Sequence, residues 1–359
     1  MRICYISHSS SHFTRPYVEY FSRAGHDVHL VSVDLPNVES GVTFHSLCAP
    51  FDPMTNKLGY LRALSAISRT IRAIRPDIVH AHYLTSNGFL AAFANVHPLI
   101  VSARGSDVYR SFHSSFRRWA LRFVFSRADL INVVSESLGE KVVQLGALTS
   151  RVSCLSQGIE TKRFLVERSI RRPGPIRIIH TRSLVDIQQG DKIIEALALL
   201  KRDGIPFQFT FAATGPQQGI LEALAREKSL DSHITFLGGY HYKDKTLPTL
   251  LSWADIYVSA SLWDGASPSL FEAMASGAFP VVSDIPGNRD WLSGDRDSLF
   301  FDPYDTKQLV DQLKRAIGDE AIRREAISLN HQKVTQHGER SMNMATLTKV
   351  YEQLIAGGQ

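Results

Sequence analysis

Short β-branched and apolar runs alternate with amphipathic helical stretches along nearly the whole chain, and that alternation leaves few folds open. A strand followed by a helix followed by another strand closes most readily as a right-handed parallel unit, and repeated units make a doubly wound parallel sheet. Apolar runs near 2–7, 28–33, 42–47, 77–81, 98–102, 129–134 and 152–156 read as strands, with helices near 14–24, 58–75, 84–95, 113–126 and 136–145. After the segment ERSIRRPGPI the series restarts, with strands near 176–181, 207–212, 233–237, 255–260, 279–283 and 298–301. Helices near 191–202, 217–228, 247–253 and 268–276 separate them, and helices near 305–318, 320–336 and 340–355 follow. A chain of 359 residues is long enough for two domains, each with its own core. The expected organisation is a first α/β domain over 1–166, a linker over 167–176, a second α/β domain over 177–337, and a C-terminal helix over 338–359 packing back toward the first domain.

Composition narrows the class. Hydrophobic residues at 44% and charged residues at 21% are ordinary for a globular protein. No apolar run reaches the ~18 residues of a spanning helix, and MRICYISHSS reads as a strand rather than an export signal, which points to the cytoplasm. Cys4, Cys48 and Cys154 show no paired spacing and are expected to be buried, reduced thiols. The formal charge of +5 is uneven: residues 1–165 hold 18 Lys and Arg against 11 Asp and Glu, a surplus of +7, and the remainder of the chain carries −2. An anionic partner surface is therefore expected for the first domain only.

Ligands of doubly wound sheets bind beyond the carboxyl ends of the strands, so the chemistry is sought in strand-end loops. SHSSSHFTRP, residues 7–16, offers hydroxyls and His12 where a dinucleotide fold would carry glycines; no GxGxxG is present, and a ligand loop and a capped polar loop remain equal readings. VSARGSDVY, residues 101–109, brings Arg104 and Asp107 to a strand end, either as an anion contact or as an internal ion pair. His80 and His82 have a spacing that metal sites use, yet without carboxylates or cysteines beside them they read as hydrogen-bonding residues. HTRSLVDIQQGDK, residues 180–192, presents Arg182, a cation suited to a phosphate. Gly215 in ATGPQQG permits a close backbone approach.

The richest stretch is WDGASPSLFEAMASGAFPVV, residues 263–282. Pro268 opens a helix with Ser267 at its N-cap, Glu272 lies about one turn inside, and Asp264 stays in the loop ahead. Unpaired backbone N–H groups at such a helix start attract anions. The simple alternative is that both acids only complement the helix dipole. DRD at 295–297 imitates a metal-binding motif but reads as a solvated turn. FHSSFRRWALRFVFSR, residues 112–127, interleaves Arg with aromatics, as either an anionic-lipid surface or a helix packed on the sheet with an Arg-rich outer face.

The motif order resembles the retaining, nucleotide-sugar-dependent glycosyltransferases of the GT-B fold, family four, over nearly the full length. The family's Glu, seven residues, Glu pattern stands here from Asp264 to Glu272, with the first Glu shortened to Asp. PDIVHAHY at 76–83, GSDV at 105–108, QGIETKRF at 157–164, ITFLGGY at 234–240, ADIYVSAS at 254–261 and SDIPGNRDWL at 283–292 also fit. The resemblance implies an α/β GT-B fold: two Rossmann-like doubly wound domains facing across a cleft, with the C-terminal helices returning to the N-terminal domain. It implies that Glu272 binds the donor ribose, that Asp264 lies against the transferred sugar, and that the stretch Gly265, Ala266, Ser267, Pro268 and Ser269 cradles sugar and phosphate through the main-chain N–H groups of its residues other than the proline. Arg182 would hold the diphosphate with Gln188 nearby, and Gly238, Gly239 and Tyr240 would flank the base beside the Gly215 loop. Ser10, His12, His82, Arg104 and Asp107 would line the acceptor side.

Three departures stand out: Gln188 replaces a usual Lys, Arg104 a frequent His, and Ser9-Ser10 a frequent Gly-Gly. The implied activity is transfer of a hexose-type sugar, with a UDP-sugar as favoured donor, to a glycan or lipid-linked acceptor in cell-surface polysaccharide synthesis. No cofactor, metal or nucleic acid is expected, and contact with the inner face of a membrane is. A sugar-nucleotide epimerase or glycoside phosphorylase on the same frame, and a non-catalytic two-domain sugar-binding protein, are the alternatives.

Overall fold

The computed structural model describes residues 1–9, 11, 13–34, 41–47, 57–112, 114–165, 174–240 and 244–357. By contacts the chain divides into two units, Met1–Gln157 with Ser341–Gln359, and Gly158–Arg340.

In the first unit seven strands form one parallel sheet: β1 (Arg2–Ile6), β2 (Asp27–Ser32), β3 (Val42–Ser46), β4 (Ile78–His82), β5 (Leu99–Ser102), β6 (Leu130–Val133) and β7 (Val152–Cys154). Their order is β3-β2-β1-β4-β5-β6-β7, so the winding reverses between β1 and β4. Strands β1, β4 and β5 are buried on both faces, which is why they read as continuous apolar runs rather than as alternating ones. One face packs Ile3, Tyr5, Val28, Leu30, Ile78 and Ile100 against Tyr17 and Phe21. The C-terminal helix Arg340–Gly357 covers the same cluster with Met344, Leu347 and Tyr351. Buried hydrogen bonds fix it: Tyr351 Oη lies 2.6 Å from His80 Nδ1 and 3.1 Å from Tyr5 Oη.

The second unit carries a six-stranded parallel sheet: β8 (Ile176–His180), β9 (Phe207–Phe211), β10 (Ile234–Phe236), β11 (Ile256–Ser259), β12 (Phe279–Ser283) and β13 (Leu299–Phe301). The order β10-β9-β8-β11-β12-β13 reverses between β8 and β11. Successive residues serve opposite faces: Ile178, Ile256, Val258 and Val281 join one core cluster, and Ile179, Tyr257 and Val282 the other. The helix Pro268–Ala275 packs on the second face through Leu270, Phe271 and Met274.

Strands and long helices fall within a few residues of the expected spans. The contact boundary differs from the expected 166/167, because Ile159 donates to the Gly338 carbonyl and Arg340 donates to the Ile159 carbonyl, both at 2.8 Å. That pairing, with Ile159 and Phe164 in the second core, assigns residues 158–165 to the second unit. Residues 167–173 of the expected linker lie outside the described residues.

Other local expectations need correction. Cys4 is buried and its thiol is pushed up to about 12 by desolvation, but Cys154, on the edge strand β7, is exposed; Cys48 lies outside the described residues. The DRD stretch is not simply solvated. Asp297 is 2% exposed, accepting from the Ser293 and Gly294 amides, Ser298 and Lys333, so it anchors the turn.

Candidate functional site

The reversal between β8 and β11 sends the loop after β8 one way and the loop after β11 the other, opening a crevice at the strand ends. Arg182, two residues past β8, meets both loops. Its Nη2 lies 2.6 Å from Asp264 Oδ2, its Nη1 donates to Ser267 Oγ at 2.5 Å, and its Nε donates to Gln188 Oε1 at 3.2 Å. Arg182 and Asp264 side chains retain 16% and 17% of their exposure, enough to meet a ligand.

Two sequence expectations change here. Ser267 occupies the N-cap position of Pro268–Ala275, but its hydroxyl accepts from Arg182 and makes no capping bond; Pro268 has no amide and Leu270 and Phe271 donate to the Ser267 carbonyl, so in the first turn the Ser269 amide is left open. Gln188 stands where a Lys was usual and is 6% exposed. Its Oε1 accepts from Arg182 and from Ser261, so it orients the guanidinium rather than adding a second cation. Asp264 is turned by its own loop, accepting from the Gly265 amide at 2.9 Å. Burial pushes its carboxyl above the usual range while Arg182 pulls it back.

Glu272, inside the helix, is partly exposed, and the protein around it pushes its carboxyl up to about 7 against the pull of Arg340, Arg163 and Arg182. Arg163 and Arg340 were missed from sequence. Both come from the paired 158–165 and 338–340 segments, and only the QGIETKRF match pointed to one of them. Tyr240 is close enough for the Glu272 charge to raise its phenol further, beyond the effect of burial. Gly238 takes a left-handed φ of 73° at the end of β10, with Gly239 and Tyr240 next in the chain.

Two glycines shape this site through the backbone. A Cβ on Gly287 would stand 2.4 Å from the Asp264 carbonyl oxygen, so the turn Pro286–Arg289 lies directly beneath the Asp264–Gly265 peptide. A Cβ on Gly215 would stand 2.2 Å from the Leu184 carbonyl oxygen. The close approach expected at Gly215 is therefore to the β8 loop.

In the first unit the strand-end residues form a separate cluster. Asp107 does not pair with the Arg104 guanidinium. Its carboxylate accepts from the amides of Leu84, Arg104, Gly105 and Val108 at 2.7–3.1 Å. Arg104 instead lies over the rings of Phe13 and Tyr17, 5.7 and 5.2 Å from their centroids. His82 Nδ1 bonds Thr14 Oγ1 at 2.9 Å, and burial with the nearby Arg104 cation holds the ring well below its usual pKa and neutral. His80 is bonded through both nitrogens, to Tyr351 and Ser102, and is a core residue. Ser10 and His12 lie outside the described residues.

Two family models match the chain: a glycosyl transferase 4-like model over residues 2–135 and a glycosyl transferases group 1 model over 163–334. The chain belongs to the group 1 glycosyltransferases. Putative glycosyltransferase EpsD of Bacillus subtilis (strain 168) is 23% identical over 303 residues, 77% of this chain and 76% of its own length. The putative colanic acid biosynthesis glycosyltransferase WcaL of Salmonella typhimurium is 26% identical over 191 residues, 49% of this chain and 46% of its own. Among solved structures, Anabaena HepE in complex with UDP superposes with a TM-score of 0.79 at 14% identity, covering 99% of this chain and 100% of HepE. That likeness and the two parallel sheets make this group 1 member an α/β GT-B protein with two Rossmann-like domains.

Proposed function

We propose that this protein transfers a hexose-type sugar from a UDP-sugar to a hydroxyl of a glycan or lipid-linked acceptor, with retention at the anomeric carbon and without a metal, in cell-surface polysaccharide synthesis. The observation that carries the reading is Arg182, held by Asp264, Ser267 and Gln188 at the head of the Pro268 helix. A guanidinium and the open Ser269 amide at the helix start, fixed in place before the substrate arrives, suit a diphosphate that gains charge as it leaves. Asp264 then meets the sugar hydroxyls, Glu272 the ribose hydroxyls, and Tyr240 with Gly238 and Gly239 the base. The named relatives EpsD and WcaL support the glycan context, and HepE, described with UDP, supports the donor base.

In this mechanism the acceptor oxygen attacks the anomeric carbon on the face the diphosphate leaves. The bond from that carbon to the phosphate oxygen breaks, and the diphosphate takes the acceptor proton. Positioning and charge stabilisation by Arg182 supply the rate.

Thermal unfolding with a panel of nucleotide sugars tests the donor, since a true donor raises the melting temperature by mass action. Arg182→Ala and Glu272→Ala should each lose at least tenfold in affinity for the best hit; wild-type affinity in both variants ends the assignment. Turnover undiminished by EDTA, and an anomeric configuration matching the donor's, are the expected product-side results.

The reading includes an anionic membrane surface. The helix Ser115–Arg127 buries Ala120, Leu121, Val124 and Phe125 yet leaves Phe116 73% and Trp119 57% exposed, their rings stacked at 6.0 Å, with Arg118 and Arg122 also exposed. Among the described residues no helix is long and apolar enough to cross a membrane. Co-sedimentation with phosphatidylglycerol vesicles should fall on Phe116→Ala with Trp119→Ala; unchanged binding rejects the surface.

A further inference from the structure

Arg104 is 8% exposed, yet its Nε and Nη2 atoms are buried and donate to no group. These two nitrogens form one edge of the guanidinium, with parallel N–H bonds spaced to match the two oxygens of a carboxylate. Elsewhere in this protein that edge is used in this way. Arg177 holds Asp255 through Nε and Nη2 at 3.0 and 3.0 Å, and Arg289 holds Asp284 at 2.6 and 2.8 Å.

Among the described residues nothing substitutes for such a partner. Asp107, three residues on, has its carboxylate occupied by four backbone amides. The faces of Phe13 and Tyr17 attract the cation but accept no hydrogen bond from its edge. Tyr5, Tyr17 and the two neutral imidazoles of His80 and His82 add bulk that removes water. His82 Nε2 and Ser11 Oγ are also buried without partners. A buried charge lacking a counter-charge is strongly unfavourable, so its retention calls for a role outside the fold.

The location fits a ligand. Arg104 follows β5 at the carboxyl ends of the strands, beside the β1/β4 reversal. Tyr83, the residue after β4, holds a left-handed φ of 71°, a strained conformation for a residue with a Cβ.

We propose that the Nε/Nη2 edge of Arg104 receives the carboxylate of an acidic sugar, making the substrate of this glycosyltransferase a uronate-type sugar. The inference rests on the transferase reading, since it adds the class of sugar that the first unit recognises. The carboxylate is that of the acceptor, the sugar the first unit would hold.

Titration calorimetry on the full chain tests this with methyl β-glucuronide against methyl β-glucoside, each with saturating UDP. Wild type should bind the glucuronide at least tenfold tighter than the glucoside. Arg104→Met should erase that preference while leaving UDP affinity within twofold of wild type, and Arg104→Lys, which keeps the charge but not the two-pronged edge, should retain only part of it. Wild type with less than a twofold preference overturns the proposal, as does a preference that survives Arg104→Met. Failure of wild type to bind UDP at all would instead remove the donor reading.

Discussion

Glu272 sets the pH behaviour of the site. Its carboxyl ionises at about 7 in the folded protein against an ordinary 4.5, so between those values the folded state holds a proton that the unfolded chain has released. Its contribution to stability therefore falls as pH rises through that window and is level above it. On the proposed function ligand binding runs the other way, because a Glu272 carboxylate that accepts two ribose hydroxyls binds best when ionised. Below pH 7, UDP-glucose affinity should weaken by up to about tenfold per pH unit, and Glu272→Gln should flatten the profile; calorimetric titration from pH 5.5 to 8.5 reads both. Arg182 and Asp264 were visible in the sequence as charged residues in loops beyond apolar strands, and Glu272 as an acid about one turn inside the Pro268 helix. The roles of Ser267 and Gln188 were not. Whether a hydroxyl caps its own helix or accepts from an arginine 85 residues away depends on which loop lies above it. Arg163 and Arg340 approach Glu272 for the same non-local reason.

The helix Pro268–Ala275 is bounded by local chemistry at both ends. Pro268 supplies a preset φ and no amide at the first position. At the other end Ala278 donates to the Ala273 carbonyl and Gly277 to the Met274 carbonyl, with Gly277 at φ 73°. That paired pattern closes a helix on a left-handed residue. Gly277→Ala should therefore cost about 1–2 kcal/mol, read as a lower urea midpoint with an unchanged slope; an unchanged midpoint would show that this helix end relaxes freely. Such ends are legible, as are the strands, whose apolar runs of about five residues differ in kind from the amphipathic helices. The single turns Ser106–Tyr109, Thr161–Phe164 and Pro286–Arg289 were not anticipated as helical. One turn is too short to show a period, and non-local contacts fix it, as where the Asp107 carboxylate accepts from the Leu84 amide.

At the scale of the whole molecule, the two-sheet architecture followed from the restart of the strand series, whereas the return of the last helix was implied by the family resemblance alone. The exact crossing point followed from neither, because the Ile159–Gly338 pairing joins segments with no shared pattern. Removing Ser341–Gln359 would uncover Tyr5, Phe21 and Leu30 and withdraw Met344, Leu347 and Tyr351 from their core. At about 1.5–3 kcal/mol for each large apolar side chain, this loss should abolish slow hydrogen exchange in β1, β2 and β4 while β8 and β11 stay protected. Equal loss in both sheets would show that the helix supports more than its own unit.

The same helix imposes an order on biosynthesis. The first seven strands leave the ribosome early, but the segment that seals their hydrophobic face follows only after the roughly 180 residues of Gly158–Arg340. Vectorial folding can therefore complete the later unit first, and the earlier sheet stays open to chaperones, or to unwanted association, until the helix Arg340–Gly357 has been made.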